Sequence, residues 1–185
     1  MQQQNRIIVL ITLIVAAIAT RFLPHAPNFT AVGATALFGG VLFRNNLRAF
    51  MIPAIALFAS DLVLNNLVYG QYYEGFQWLT PGFAFIYGAF FITVLMGRYF
   101  TSGFKALPLI GAGLASAIVF YLLTNFGAWL GSPMYPQTFG GLIQSYVAGL
   151  PFLLNQVAGT AFYGVIMFSA AYFLTGAHKP STVNA

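Results

Sequence analysis

Long apolar runs separated by short polar breaks divide the chain into six segments, roughly Arg6–Phe22, Thr30–Phe43, Ala49–Tyr69, Phe83–Gly97, Leu107–Leu130 and Pro151–Thr175. Continuous apolar runs predict helices in lipid, because every backbone amide must find its partner within its own segment. About 20 residues at 1.5 Å each cross the ~30 Å hydrocarbon layer, which sets the length required. The second segment offers only about 13 residues, or ~20 Å of helix, and it contains Gly33, Gly39 and Gly40. It is expected to tilt poorly, break, or stop short of one surface. A further apolar stretch from Gly141 to Leu150 reads as an interfacial or re-entrant helix leading into the last span. Small residues recur at four-residue spacing, as in Ala31, Thr35 and Gly39, then Ala56 and Ser60, then Gly111 and Ala115. That spacing predicts close helix packing without a hydrophobic drive.

The expected fold class is therefore an all-α integral membrane protein, with about six transmembrane helices in a single bundle. One transmembrane domain covers residues 1–179, and residues 180–185 form a short polar tail. Composition agrees: 59% of residues are hydrophobic and 5% charged, which leaves no room for a second, aqueous domain.

The cations set an orientation. Alternating six spans collects Arg6, Arg44, Arg48, Arg98, Lys105 and Lys179 on one side, six of the seven basic residues. The positive-inside rule makes that side cytoplasmic, with both termini on it. The expected location is the bacterial cytoplasmic (inner) membrane. Arg6, the apolar run from Ile7 and Ala17-Ile18-Ala19 also resemble a signal peptide with an A-x-A cleavage site. Its removal would leave five spans without inverting the others.

Against this apolar background Asp61 stands out, because it interrupts the Ala49–Tyr69 run and the only other acid is Glu74. An ionised carboxylate near mid-bilayer costs roughly 2.5–3.5 kcal/mol even on an insertion scale. Such a group faces a bundle interior or a polar cavity; a structural hydrogen bond to a neighbouring helix is the other reading. Asp61, Asn65 and Tyr69 share a helix face by their spacing of four, and Tyr121, Asn125 and Trp129 share another. With Asn155 and Gln156 in the outer half of the last span and Arg21 ending the first, polar residues gather toward the outer leaflet. The outer loops add Arg21-Phe-Leu-Pro-His-Ala-Pro-Asn28 and Met134-Tyr-Pro-Gln-Thr138. Aromatic rings beside hydrogen-bonding groups suit a small planar or heterocyclic ligand, although Trp and Tyr also anchor membrane interfaces. The candidate substrate-binding residues are Arg21, His25, Asn28, Asp61, Asn65, Asn125, Trp129, Tyr135 and Asn155. Arg21 is the expected counter-charge of Asp61.

Several chemistries lack their residues. There is no cysteine, hence no disulfide, thiolate metal site or thiol nucleophile. His25 and His178 fall on opposite sides, so no multi-His metal or bis-His haem site forms. No G-x-S-x-G, Walker loop or spaced carboxylate pair occurs, and no span carries a lysine for a Schiff base. No catalytic residue, metal or cofactor is expected, and the dispersed cations do not form a nucleic-acid patch.

Arg21-Phe-Leu-Pro-His-Ala-Pro-Asn-Phe-Thr30 is followed by Ala34-Thr-Ala-Leu-Phe-Gly-Gly40, Ser60-Asp61, Asn125-Phe-Gly-Ala-Trp129, Met134-Tyr-Pro-Gln-Thr138 with Gly141-Leu142, and Pro151-Phe with Asn155. Together these resemble an uncharacterised family of small bacterial membrane proteins, itself similar to the substrate-binding S components of energy-coupling-factor transporters. The resemblance implies a vitamin- or micronutrient-binding subunit whose first outer loop acts as a lid. It also implies a transmembrane coupling protein and ATPases as partners on the cytoplasmic side. Two positions depart from the pattern. Ala16 with Thr20 is the nearest match to the A-x-x-x-A of the first helix, and Thr160 follows Gly159 where similar sequences carry an acid. The function expected is uptake of a small solute through a pocket open to the outer leaflet. The alternative is a structural or accessory subunit of a larger membrane complex.

Overall fold

A computed structural model describes residues 2–43, 45–101 and 103–175. Arg44, Lys179, His178 and the polar tail 180–185, which entered the topology and domain readings, lie outside the described residues. Six helices follow one another: α1 (Gln2–Ala19), α2 (Val32–Leu42), α3 (Asn46–Val63), α4 (Phe83–Phe100), α5 (Ala106–Gly131) and α6 (Phe139–Leu174). No strand occurs among the described residues. A 3₁₀ turn, Thr20–Phe22, ends α1, and a π-helical turn, Leu64–Val68, extends α3. Five helices are long and apolar enough to cross a membrane. Exposed Ile8, Val15, Ile55, Leu114, Phe162 and Val165 on four of them suit contact with lipid. The architecture is compatible with a multi-pass membrane protein.

The remaining helix is the centre of the molecule. α2 has 11 residues, or about 16 Å of helix, too short to span. It has no polar face, and Ala34 through Gly40 are all buried. Contacts from all five other helices surround it. Glycine makes the closest approaches possible. A Cβ on Gly97 of α4 would sit 2.6 Å from the Leu37 carbonyl oxygen, and one on Gly40 would strike the Val94 carbonyl. Gly39 lies as tightly against Ala49 and Pro53 of α3. Phe38 then fills the interior, its ring 5.3 Å from that of Phe168 in edge-on contact. The expected small-residue packing thus holds for Thr35 and Gly39 of α2 and for Ala31 just before it, whereas Gly111 of α5 is exposed and meets open space. α1 takes part as the other spans do, burying Leu10, Ile14, Ala17 and Ile18.

One expectation is corrected. The stretch from Gly141 to Leu150 is not a separate interfacial or re-entrant helix. It forms the first turns of a single 36-residue α6, about 54 Å long, with Pro151 inside it. Proline removes one N–H and breaks many helices. Here Gly141, Ser145 and Gly149 before the proline, and Gln156 and Gly159 after it, are all buried in the bundle. Gly149 abuts the Asn125 side chain of α5, and Ser145 Oγ donates to the Asn125 carbonyl at 3.2 Å. Packing against α5 holds the segment in line.

Candidate functional site

The interrupted apolar run delivers Asp61 to the last turn of α3, 5% exposed. Arg21 reaches it from the turn that ends α1: Nη1 donates to Asp61 Oδ1 at 2.7 Å and also to Ser60 Oγ. Tyr87 of α4 donates its hydroxyl to Asp61 Oδ2 at 2.8 Å. Both carboxylate oxygens are therefore engaged, and the charge is paired. A buried ion pair needs such extra hydrogen bonds to offset the desolvation of two charges. The expected Asp61–Arg21 pairing is a direct contact, and it ties the end of α1 to α3 and α4.

Above this pair lies a cavity of about 290 Å³. Its base includes Arg21, Asp61, Asn65 and Gln156, and exposed Asn28 and Tyr69 stand among its walls. The π-helical turn explains why Asp61, Asn65 and Tyr69 all reach it. Residues spaced by four drift round a 3.6-residue helix, and a wider turn offsets that drift. The turn closes with Tyr69 N–H donating to the Leu64 carbonyl at 2.8 Å. Asn65 Nδ2 donates to Thr80 Oγ1 at 3.0 Å, bringing the α3–α4 loop over the cavity. Asn66 clamps the same loop through two bonds to the backbone of Gln77.

Four of the nine candidate residues, Arg21, Asn28, Asp61 and Asn65, meet at this cavity. The other five do not line it; α5 and α6 reach the cavity instead through Phe120 and Gln156. Asn125 Nδ2 donates back to the Tyr121 carbonyl at 2.8 Å, and Tyr121 Oη donates to the Tyr146 carbonyl at 2.6 Å. That face of α5 is covered by the unexpected first turns of α6. Trp129 Nε1 donates to the Pro136 carbonyl at 2.9 Å, fastening the α5–α6 turn in which Tyr135 sits. Asn155 Nδ2 donates to the Pro27 carbonyl at 2.9 Å, holding the α1–α2 loop from outside the cavity. His25 is exposed, its Nδ1 2.9 Å from the adjacent Ala26 carbonyl oxygen.

Gln156, Tyr87, Thr80 and Tyr73 belong to the neighbourhood without having been candidates. A signal existed for two of them. Gly149, Gln156, Thr160, Met167 and Ala171 follow a four-and-seven spacing that marks the buried stripe of α6. Gln156 is on that stripe and Asn155 is one position off it. Tyr87 similarly precedes Phe90, Val94 and Gly97 on the buried stripe of α4. Thr80 and Tyr73 come from a loop, where no periodicity speaks.

No group of three or more His, Cys, Asp or Glu that could hold a metal occurs among the described residues. A second recess, about 610 Å³ and mostly apolar, runs between α5 and α6 past Phe104, Gly113, Gly164 and Phe168. A family model described as a family of unknown function, DUF6580, matches residues 1–182, and the chain belongs to that family. No curated protein and no solved structure matches it.

Proposed function

We propose that this DUF6580 chain is a membrane-embedded binding subunit for uptake of a small solute, held in the cavity above Arg21 and Asp61. The observation that carries the reading is a cavity that gathers Arg21, Asp61, Asn65 and Gln156 inside a bundle whose core is mainly apolar. Polar groups within a bilayer are expensive, and they are kept where a substrate path or site needs them. The cavity opens beside the α1–α2 loop, in line with an S-component-like bundle whose first loop covers its ligand. Enclosed α2 still carries the chain from the cavity, at Val32 and Gly33, to the Arg98 end, at Gly40 and Phe43, so six passes remain. The positive-inside rule then puts the cavity end outward and both termini in the cytoplasm of a bacterial inner membrane. A coupling protein and ATPases acting from the cytoplasmic side would complete a transporter. The site works by binding, with Asp61 as a structural anchor and not a catalyst.

The test is mass spectrometry of small molecules that co-purify with the protein, followed by binding to wild type and to Asn65→Ala. A stoichiometric solute, bound more weakly by the variant, is expected. A protein that carries no solute and copurifies with a stoichiometric membrane partner lacking ATPases would replace this reading with an accessory subunit. The apolar recess between α5 and α6 favours that second reading, since it would accept a helix of another chain.

A further inference from the structure

The cavity contains donors that the protein itself leaves unused. The backbone ladder of α2 begins with Thr35 N–H donating to the Ala31 carbonyl at 2.8 Å. The N–H groups of Val32, Gly33 and Ala34 precede it and have no helical partner. Thr30 Oγ1 reaches only Val32, at 3.5 Å, and no side chain caps the helix. Gly33 and Ala34 therefore keep N–H groups without an acceptor among the described residues. Val32 and Gly33 line the cavity, so this helix terminus faces it.

A side chain from another helix points to the same place. Gln156 of α6 is 8% exposed, lines the cavity, and makes no hydrogen bond among the described residues. Yet no fully buried side-chain N or O atom among those residues lacks a partner. Its amide is therefore accessible, and Gln156 is one of the residues that line the cavity. Arg21 commits Nη1 to Ser60 and Asp61 and retains its other guanidinium donors.

We propose that the cavity binds its solute through a carboxylate, received by the Gly33 N–H at the start of α2, by Arg21 and by the Gln156 carboxamide. This rests on the reading of the cavity as a solute site and names the chemical class that the site takes. A helix N-terminus carries roughly half a positive charge, and its free N–H groups point at an anion placed there. Asp61 does not repel the newcomer strongly, because Arg21 and Tyr87 occupy its oxygens. Since Asp61 also balances Arg21, a monoanion suits the site better than a doubly charged phosphate. The volume equals about ten water molecules at liquid density, so the whole solute has on the order of ten non-hydrogen atoms.

The experiment is an amide NMR titration of ¹⁵N-labelled full-length protein in lipid nanodiscs with acetate, acetamide and chloride at matched ionic strength. Acetate is expected to shift the Gly33 and Ala34 resonances saturably, about tenfold tighter than acetamide, the ratio a partly buried charge–dipole contact supplies. Gln156→Leu should weaken acetate about tenfold while the remaining spectrum stays in place. Equal shifts with acetate and acetamide would overturn the carboxylate assignment and leave the solute-binding reading standing. Shifts with chloride equal to those with acetate, or no shift with any probe, would overturn it as well. The co-purified solute then decides the broader reading on its own. Should Gln156→Leu misfold, the wild-type preference for acetate over acetamide, or its absence, still decides the carboxylate assignment.

Discussion

Asp61 could be singled out before any fold was known, because one acid in a long apolar run carries its cost in plain view. Its pairing with Arg21 followed from the same logic, since no other cation ends a span on that side. Removing one partner leaves a buried uncompensated charge, so Arg21→Ala or Asp61→Asn should lower stability by about 3–5 kcal/mol. Arg21→Met with Asp61→Leu together should cost much less, and unfolding in detergent across this double-mutant cycle measures the coupling. Tyr87→Phe removes one hydrogen bond to a charged group and should cost about 1.5–3 kcal/mol. The roles of Asn125 and Trp129 were not legible, because a shared helix face does not say what covers it. Asn125→Ala should leave solute affinity unchanged while lowering the melting temperature, whereas Asn65→Ala should weaken solute binding. Equal loss of affinity in both would restore the site that spanned α3 and α5.

The segments were legible from apolar runs, and their ends and partners were less so. α2 announced itself by its shortness and its glycines, but only the packing shows that a helix too short to span occupies the centre. Gly97→Ala sets a methyl against the backbone of Leu37, which cannot move aside as a side-chain tip can. Overpacking of that kind costs typically 1–3 kcal/mol. Gly111→Ala meets open space on α5 and should instead gain up to about 1 kcal/mol from helix propensity. Thermal unfolding of the two variants side by side checks whether α2–α4 contact, and not glycine content, holds the bundle. The continuity of α6 through Pro151 was hidden for a physical reason. Proline forecasts a break from local chemistry, and the partners that hold the helix straight, Asn125 and Tyr121, lie 26 and 30 residues away in sequence. Those first turns of α6 cover the α5 face, so one unforeseen element displaced several residues from the expected site.

At the scale of the whole molecule, the cavity and the cations divide the bundle between its two ends. Arg21 and the α1–α2 loop mark the cavity end, while Arg48 and Arg98 mark the opposite one, where Arg98 Nη1 donates to the Phe43 carbonyl at 3.0 Å. Uptake requires the cavity end to face outward, the orientation proposed from the positive-inside rule. The chain has no cysteine of its own, so single cysteines report position without background. Met134, in the α5–α6 turn, is 74% exposed, and Leu47, at the start of α3, is 69% exposed. In intact spheroplasts a membrane-impermeant maleimide should label Met134→Cys at once. Leu47→Cys should react only after the membrane is permeabilised. The reverse pattern would turn the cavity toward the cytoplasm, where a binding subunit for uptake has nothing to capture. The positive charges and the polar cavity would then have opposite meanings, and the uptake reading would be withdrawn even with the Arg21–Asp61 pair intact.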